Sequence, residues 1–221
     1  MTFNGEIPKW IAPYIDQAKI KEIETAIVRA ETKTSGEIVP LVVKSSSAIG
    51  HVPIITFSAI FIAMLIFSLE HFQRSHIFDM AYWPVVNVLL AVLMAFVISR
   101  FEFVQRTLIS EDDRQAQVKL RAELEFYRLG MTKTAGSTGI LVFVSLLERR
   151  IEVMADQSIA SKLPAETWTG VVEQVLSGIR QGDLAKGLCN AIDTCGTILA
   201  DNFPIAPGDQ NELRDHILFK I

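Results

Sequence analysis

The chain has 221 residues, half of them hydrophobic, and a formal charge of −4 from 21 Lys and Arg against 25 Asp and Glu. That balance offers no basic excess for a nucleic-acid backbone, and two Cys exclude a disulfide-built scaffold. Setting aside about fifty residues of two long apolar windows leaves roughly 170, enough for one domain with its own core.

Ile20, Ile23, Ile27 and Ala30 recur at helical spacing, so the first element is a helix with one apolar face. Thr34-Ser35-Gly36 breaks the pattern, and Glu37–Val43 reads as a strand, with Pro40 assigning it to a sheet edge or a bulge. Two windows without a formal charge follow, from Lys44 to Glu70 and from Asp79 to Arg100. Their centres, Val52–Leu69 and Met80–Ser99, each cover roughly 27–30 Å at about 1.5 Å per residue, the thickness of a bilayer hydrocarbon core. The expectation is a two-span transmembrane hairpin, because core helices rarely stay apolar on every face for this long. The first run starts too deep in the chain for a signal peptide. Lys33, Lys44, Arg100, Arg106, Arg114 and Lys119 flank the hairpin and Arg74 alone lies in the connector 70–79, which places the connector outside and both ends in the cytoplasm.

Within the hairpin, Asn87 is the clearly polar group of the second span, with Pro84 one turn earlier, and it suits a hydrogen bond to a neighbouring helix. Ala59-x-x-x-Ala63 and Ala91-x-x-x-Ala95 give each helix one small-residue face, for packing against each other or against a second copy as a homo-oligomer.

Past the hairpin, Ser110-x-x-Asp113 starts a helix with Leu120, Leu124 and Tyr127 on one face and Gly130 as its stop. Gly139–Ser145 is a buried strand that turns through Leu147–Arg149 into the alternating Ile151–Met154, a strand hairpin. Pro164 opens a helix whose stripe is Trp168, Val171, Val175 and Ile179; Gly182 ends it and Asp183 caps the next. That last long helix buries Leu184, Leu188, Ala191, Cys195 and Leu199. Cys189 and Cys195, six apart, lie about 120° apart around its axis and do not bridge each other; they read as small thiols of a reducing compartment. Asn202-Phe203-Pro204 closes the domain, and a polar tail from Gly208 carries a short helix at 212–219. A two-span hairpin returns the chain to the side it left, so the strand at 37–43 joins the sheet made by 139–154.

No nucleotide-cradling glycine loop and no nucleophile elbow is present. The four His, at 51, 71, 76 and 216, include a pair five apart, awkward for a helical metal site. Glu148-Arg149-Arg150 in the strand turn offers a paired charge cluster to a phosphate or a partner, against the plainer reading that a turn normally carries exposed charges.

The ordered set Ile23-Glu24, Thr34-Ser35-Gly36-Glu37-Ile38-Val39-Pro40, Thr138–Ser145, Glu148–Val153, Gly182-Asp183 and Gly187-Leu188 resembles the TPM domain family. The nearest pattern is its bacterial membrane-protein branch, in which two spans interrupt the domain. The resemblance implies an α/β fold, an α/β/α sandwich split by the inserted hairpin, in a bacterial inner membrane. The N-terminal part would be 1–50, the hairpin 51–100, the C-terminal part 101–206 and the tail 207–221. Some soluble relatives bind calcium and have been linked to phosphatase activity, including a plant thylakoid member. They place Asp-Asn-Gly before the buried strand, where this chain has Ser137-Thr138-Gly139, and a glycine-rich turn where it has Met154-Ala155-Asp156-Gln157. Calcium takes six or more oxygens, so no cofactor is expected; Glu37, Glu148 and Asp156 are the candidate ligands should Ca²⁺ or Mg²⁺ bind. The function expected is a non-catalytic membrane-anchored scaffold or recruitment module, with the bilayer and an unidentified protein as partners and no nucleic acid. The alternative is a divergent metal-assisted phosphatase.

Overall fold

The computed structural model describes residues 7–47, 52–74, 83–134, 136–209 and 211–221. Two compact units emerge, one from Met1–Ser46 with Gln115–Ile221, the other from Ser47–Arg114.

The first unit is built on a four-stranded mixed sheet. Helix α1 (Gln17–Glu31), capped by the Asp16 carboxylate on Lys19 N–H, leads into β1 (Glu37–Val43). The unit resumes with α5 (Glu111–Arg128), then β2 (Gly139–Ser145), β3 (Arg150–Ala155), α6 (Gln157–Lys162), α7 (Thr169–Arg180), α8 (Leu184–Asn202) and β4 (Leu218–Lys220). The strand order is β3-β2-β1-β4. β1 runs parallel to both β2 and β4, with Glu37 opposite Gly139 and Leu41 opposite Leu218, and β2 runs antiparallel to β3. Thus the strand before the helical insertion pairs with the one after it.

Alternation along β1 and β2 sends Ile38, Val42, Ile140, Val142 and Val144 to one face, where they join Ile20, Ile23 and Ile27 of α1, Val171 and Val175 of α7, and Leu188 and Leu199 of α8. Val39, Leu41, Val43, Leu141 and Phe143 go to the other face, against Val118, Ala122 and Phe126 of α5. Both faces are covered, which is why β1 and β2 read as unbroken apolar runs.

Pro40 corrects its own expectation. β1 is an inner strand, but β4 pairs it only from Leu41 onward, so Pro40 sits on a locally open side. Two residues earlier, pointing the same way, the Ile38 N–H donates to the Glu31 carboxylate at 2.8 Å instead of to a strand. A residue without an N–H fits there without loss.

Two further expectations fail. On α5 the buried face is Val118, Ala122, Glu125 and Phe126, while Leu120 (66% exposed), Leu124 and Tyr127 face outward. The helix carries two apolar stripes, and the sheet takes the one whose Ala122 leaves room for Phe143 and Leu41. The segment 212–219 is not a helix: it is an extended run ending in β4, fastened by Ile217 in the main core and by the Lys220 ammonium on the buried Glu125 carboxylate. A short strand of this kind shows no period of its own.

The second unit contains α2 (Val52–Arg74), α3 (Trp83–Ile98) and α4 (Glu102–Thr107), with α2 and α3 packed against each other. Among the described residues no helix is long and apolar enough to cross a membrane. α3 has 16 residues, about 24 Å against the ~30 Å of a hydrocarbon core. This overturns the spans at 52–69 and 80–99, the integral-membrane and inner-membrane placement with cytoplasmic ends, and the membrane-anchored scaffold built on them. Residues 70–74 belong to α2 rather than to a connector, and 75–79 lie outside the described residues.

Candidate functional site

The concave region of the first unit lies at the end of the sheet where β1 and β2 begin. The chain leaves α1 through Thr34-Ser35-Gly36, and a Cβ on Gly36 would stand 2.8 Å from Leu199 Cδ1, so glycine lets α8 close over the turn. The turn is stitched to its surroundings by its own polar atoms. Thr34 Oγ1 donates to Phe203 O, Ser35 Oγ accepts from Ala206 N at 2.9 Å, and Thr138 Oγ1 donates to Ser35 O at 2.8 Å. A cleft of about 440 Å³ opens beside it, lined by Ser35, Glu37, Thr138, Pro204, Asp209 and Glu212. A second, of about 200 Å³, is lined by Glu31, Thr34, Glu37, Asp209, Asn211 and Asp215.

Glu37 borders both. It is 6% exposed, and its two oxygens accept from Glu212 N (3.0 Å) and Leu213 N (3.3 Å). Burial raises its pKa, those two amides oppose the rise, and Asp215 and Glu212 add to it. Glu31 goes further, to about 9, chiefly through burial; the Ile38 N–H opposes this, and Glu37 and Asp215 reinforce it. The Glu31 side chain is therefore a neutral acid at pH 7. Its Oε2 is buried and, as a carboxylate oxygen, has no hydrogen-bond partner. The cleft can hold protons or receive a cationic group.

Of the ligands named from sequence, only Glu37 is here. Asp156 stands two strands away, about 10 Å by strand spacing. It caps α6 with Oδ1 on Gln157 N–H at 2.7 Å, and Oδ2 is buried without a partner. Glu148 follows the far end of β2, about 20 Å from Glu37 at roughly 3.3 Å per residue. It is buried and accepts from Ser45 Oγ at 3.1 Å, from Ser46 N at 3.2 Å and from Ser145 Oγ, fixing the point where β1 ends. Glu148 thus turns inward while Arg149, with φ +52°, stays exposed, so no paired cluster faces solvent. Among the described residues no group of three His, Cys, Asp or Glu could hold a metal ion. Thr138, beside the place where relatives carry an acid, serves the fold through its bond to Ser35.

His216 is half-buried in a groove with Val39, Leu213 and Leu218. The positions 51 and 76 lie outside the described residues, as does the side chain at 71. Cys189 and Cys195 are both free thiols, and burial raises both pKa values, that of Cys195 to about 12. Sequence reasoning missed Glu31, Asp209, Glu212 and Asp215; the acids crowded into 209–215 were the signal available.

The hairpin unit offers a different chemistry. Among the described side chains, its buried seam is Thr56 on α2 with Ala91 and Ala95 on α3. Asn87 is half-buried on α3. On the outer face of α3, Leu89 (64% exposed), Leu93 (60%) and Phe96 (57%) stand at helical spacing, and Ile62, Ile66 and Phe67 are exposed on α2. The small face of α3 is used inside the hairpin, while Ala59 and Ala63 of α2 remain exposed.

Comparison with known proteins gives three findings. The family model described as the TPM domain matches residues 100–198. The fold is similar to that of the BA42 protein from the psychrophilic bacterium Bizionia argentinensis, solved by NMR, with a TM-score of 0.60 and 19% identity over 98% of this chain and 99% of that one. No curated protein matches.

Proposed function

We propose that the protein is a self-associating binding module, in which a TPM-type α/β unit carries an inserted helical hairpin that buries its outer faces against a second copy. The domain extends beyond the matched residues 100–198 to include α1 and β1, a reading supported by the β1–β2 ladder across the insertion and by a likeness in fold covering 98% of the chain. The observation that carries the function is the row Leu89, Leu93 and Phe96, exposed together on α3. Contiguous apolar surface of this kind on a folded chain marks an interaction site.

A second copy is the partner proposed because the hairpin carries two unlike apolar faces. α3 presents large side chains, and α2 presents Ala59 and Ala63, over which a ridge from another helix can approach closely. A two-fold arrangement satisfies both faces at once. No charged side chain stands among the described residues 53–67 or 85–98 to oppose the contact. The phosphatase alternative has less support, since its carboxylates are dispersed over both ends of the sheet.

The test is the mass in solution of the full chain, by light scattering at micromolar concentration, before and after Leu89→Glu, Leu93→Glu and Phe96→Glu together. The expected result is a dimer or larger assembly that falls to monomer in the variant, with the unfolding midpoint of the α/β unit unchanged. A wild-type chain that is monomeric at tens of micromolar, or a variant that keeps its mass, overturns the proposal.

A further inference from the structure

The last part of the chain crosses the carboxylate cleft as a strap. Pro204 bridges to Thr34, Ala206 N–H donates to Ser35 Oγ, Glu212 and Leu213 donate to Glu37, and β4 adds to the edge of β1. At its end the Lys220 ammonium bonds Glu125, and Arg121 donates to the Ile221 carbonyl at 3.1 Å.

The charges do not favour this docking. The strap brings Asp209, Glu212 and Asp215 onto Glu31 of α1 and Glu37 of β1. The side chains acting on Glu31 are Glu37 and Asp215, and those acting on Glu37 are Asp215 and Glu212; all are acidic. Arg214 and His216 of the strap line the neighbouring groove with Glu212 rather than this cleft. As a carboxylate, Glu31 leaves Oε2 buried with no partner. As an acid, the same oxygen has a hydrogen to donate toward Asp215, which lines the same cleft.

We infer that the C-terminal strap, 204–220, is a proton-latched element: one proton held between Glu31 and Asp215 fastens it over the cleft, and loss of that proton frees β4 from the edge of β1.

The sign follows from linkage. Glu31 in the docked state has its pKa raised from 4.5 to about 9, so the docked state holds one more proton than the released state throughout that window. Docking is strongest below the ordinary carboxyl range and weakens by about tenfold per pH unit until the pH passes the raised value. The opposing contact, Glu125 with Lys220 and Arg121, does not blur this. Burial works to raise the Glu125 pKa, but the two cations win and hold it below its ordinary value, so Glu125 stays ionised across the window.

The experiment is hydrogen exchange on the full chain from pH 5 to pH 9, with the protection factors of Leu218–Lys220 compared with those of β2. The expected result is protection in β4 falling by about tenfold per pH unit while β2 holds constant. Glu31→Gln keeps the shape and a donor toward Asp215 without a titrating proton, and removes most of the fall in β4 protection, leaving only what Glu37 contributes. Asp215→Asn is the second variant and lowers the pH at which protection is lost without abolishing the slope, because burial remains the main cause of the raised Glu31 value. A flat wild-type profile, a slope unchanged by Glu31→Gln, or a parallel fall in β2 overturns the inference.

Discussion

Replacing Phe143 by Ala lowers the unfolding free energy of the α/β unit by about 3–5 kcal/mol, the range for a large aromatic truncated in a closed core. Phe143 is fully buried in β2, between Leu41 of β1 and Glu152 of β3 in the ladder, and its ring meets the layer made by Val118, Ala122 and Phe126. Three features keep the void open. The strands on either side are fixed by their hydrogen bonds, Ala122 has no side chain to swing into the space, and α5 is tied at Glu125 to Lys220 and Arg121. Urea unfolding followed by circular dichroism measures the loss as a lower midpoint at unchanged slope. A loss under about 1 kcal/mol would mean that α5 does not seal this face.

Gly178→Val is expected to cost about 3 kcal/mol or more, at the upper end of overpacking penalties. A Cβ at Gly178 would lie 2.7 Å from Asp183 O and 2.7 Å from Gly187 Cα, both backbone atoms that cannot rotate away. α7 and α8 approach so closely at this point that only paired glycines fit, and separating them also disturbs Val171, Val175 and Leu188 in the main core. Gly170→Ala is the internal comparison. It lies in the same helix, its added carbon meets nothing within 4 Å, and it should gain up to about 1 kcal/mol from helix propensity. Thermal unfolding of the two variants should therefore move in opposite directions, and a Gly178→Val chain as stable as the wild type would contradict the close helix contact.

What the sequence made legible and what it hid divide along physical lines. Ile20, Ile23, Ile27 and Ala30 pack as their spacing predicts, and so do Val171 with Val175 and Leu188 with Leu199, because one apolar face per helix leaves one way to pack. The strands at 37–43 and 139–145 were readable as unbroken apolar runs, the mark of a sheet covered on both sides. α5 was readable as a helix but not in orientation, since Leu120, Leu124 and Tyr127 compete with Val118, Ala122 and Phe126, and the choice depends on the volume opposite. The buried Glu125 lies in the same stripe and its cation comes from a residue 95 positions away, a separation no local pattern reports. The strap was hidden for the same reason: its hydrogen bonds run to Ser35 and Glu37, 171 and 175 positions upstream.

The candidate site shows a related limit. Glu37 was identifiable as a candidate carboxylate, but not that both of its oxygens take backbone N–H groups from the strap. Glu31 was invisible as a site residue; a glutamate in the last turn of an amphipathic helix normally points to water. Burial under the strap is what changes its chemistry. In the hairpin, apolar length suggested membrane spans. Among the described residues no helix is long and apolar enough to cross a bilayer, and α3 leaves large side chains uncovered.

The most direct test of hairpin self-association is thiol cross-linking of the full chain carrying Leu89→Cys by a flexible bis-maleimide. The native thiols compete poorly, since Cys195 is fully buried with its pKa raised to about 12 and Cys189 is half-buried with its pKa also raised. The linker, whose reach does not require the two thiols to touch, should give a covalent dimer through position 89 at micromolar chain concentration, and adding Leu93→Glu should abolish it. An Arg149→Cys chain, with its thiol exposed on the α/β unit, should remain monomeric under the same conditions. Failure of Leu89→Cys to cross-link, or equal cross-linking at 149, would contradict association through the outer face of α3.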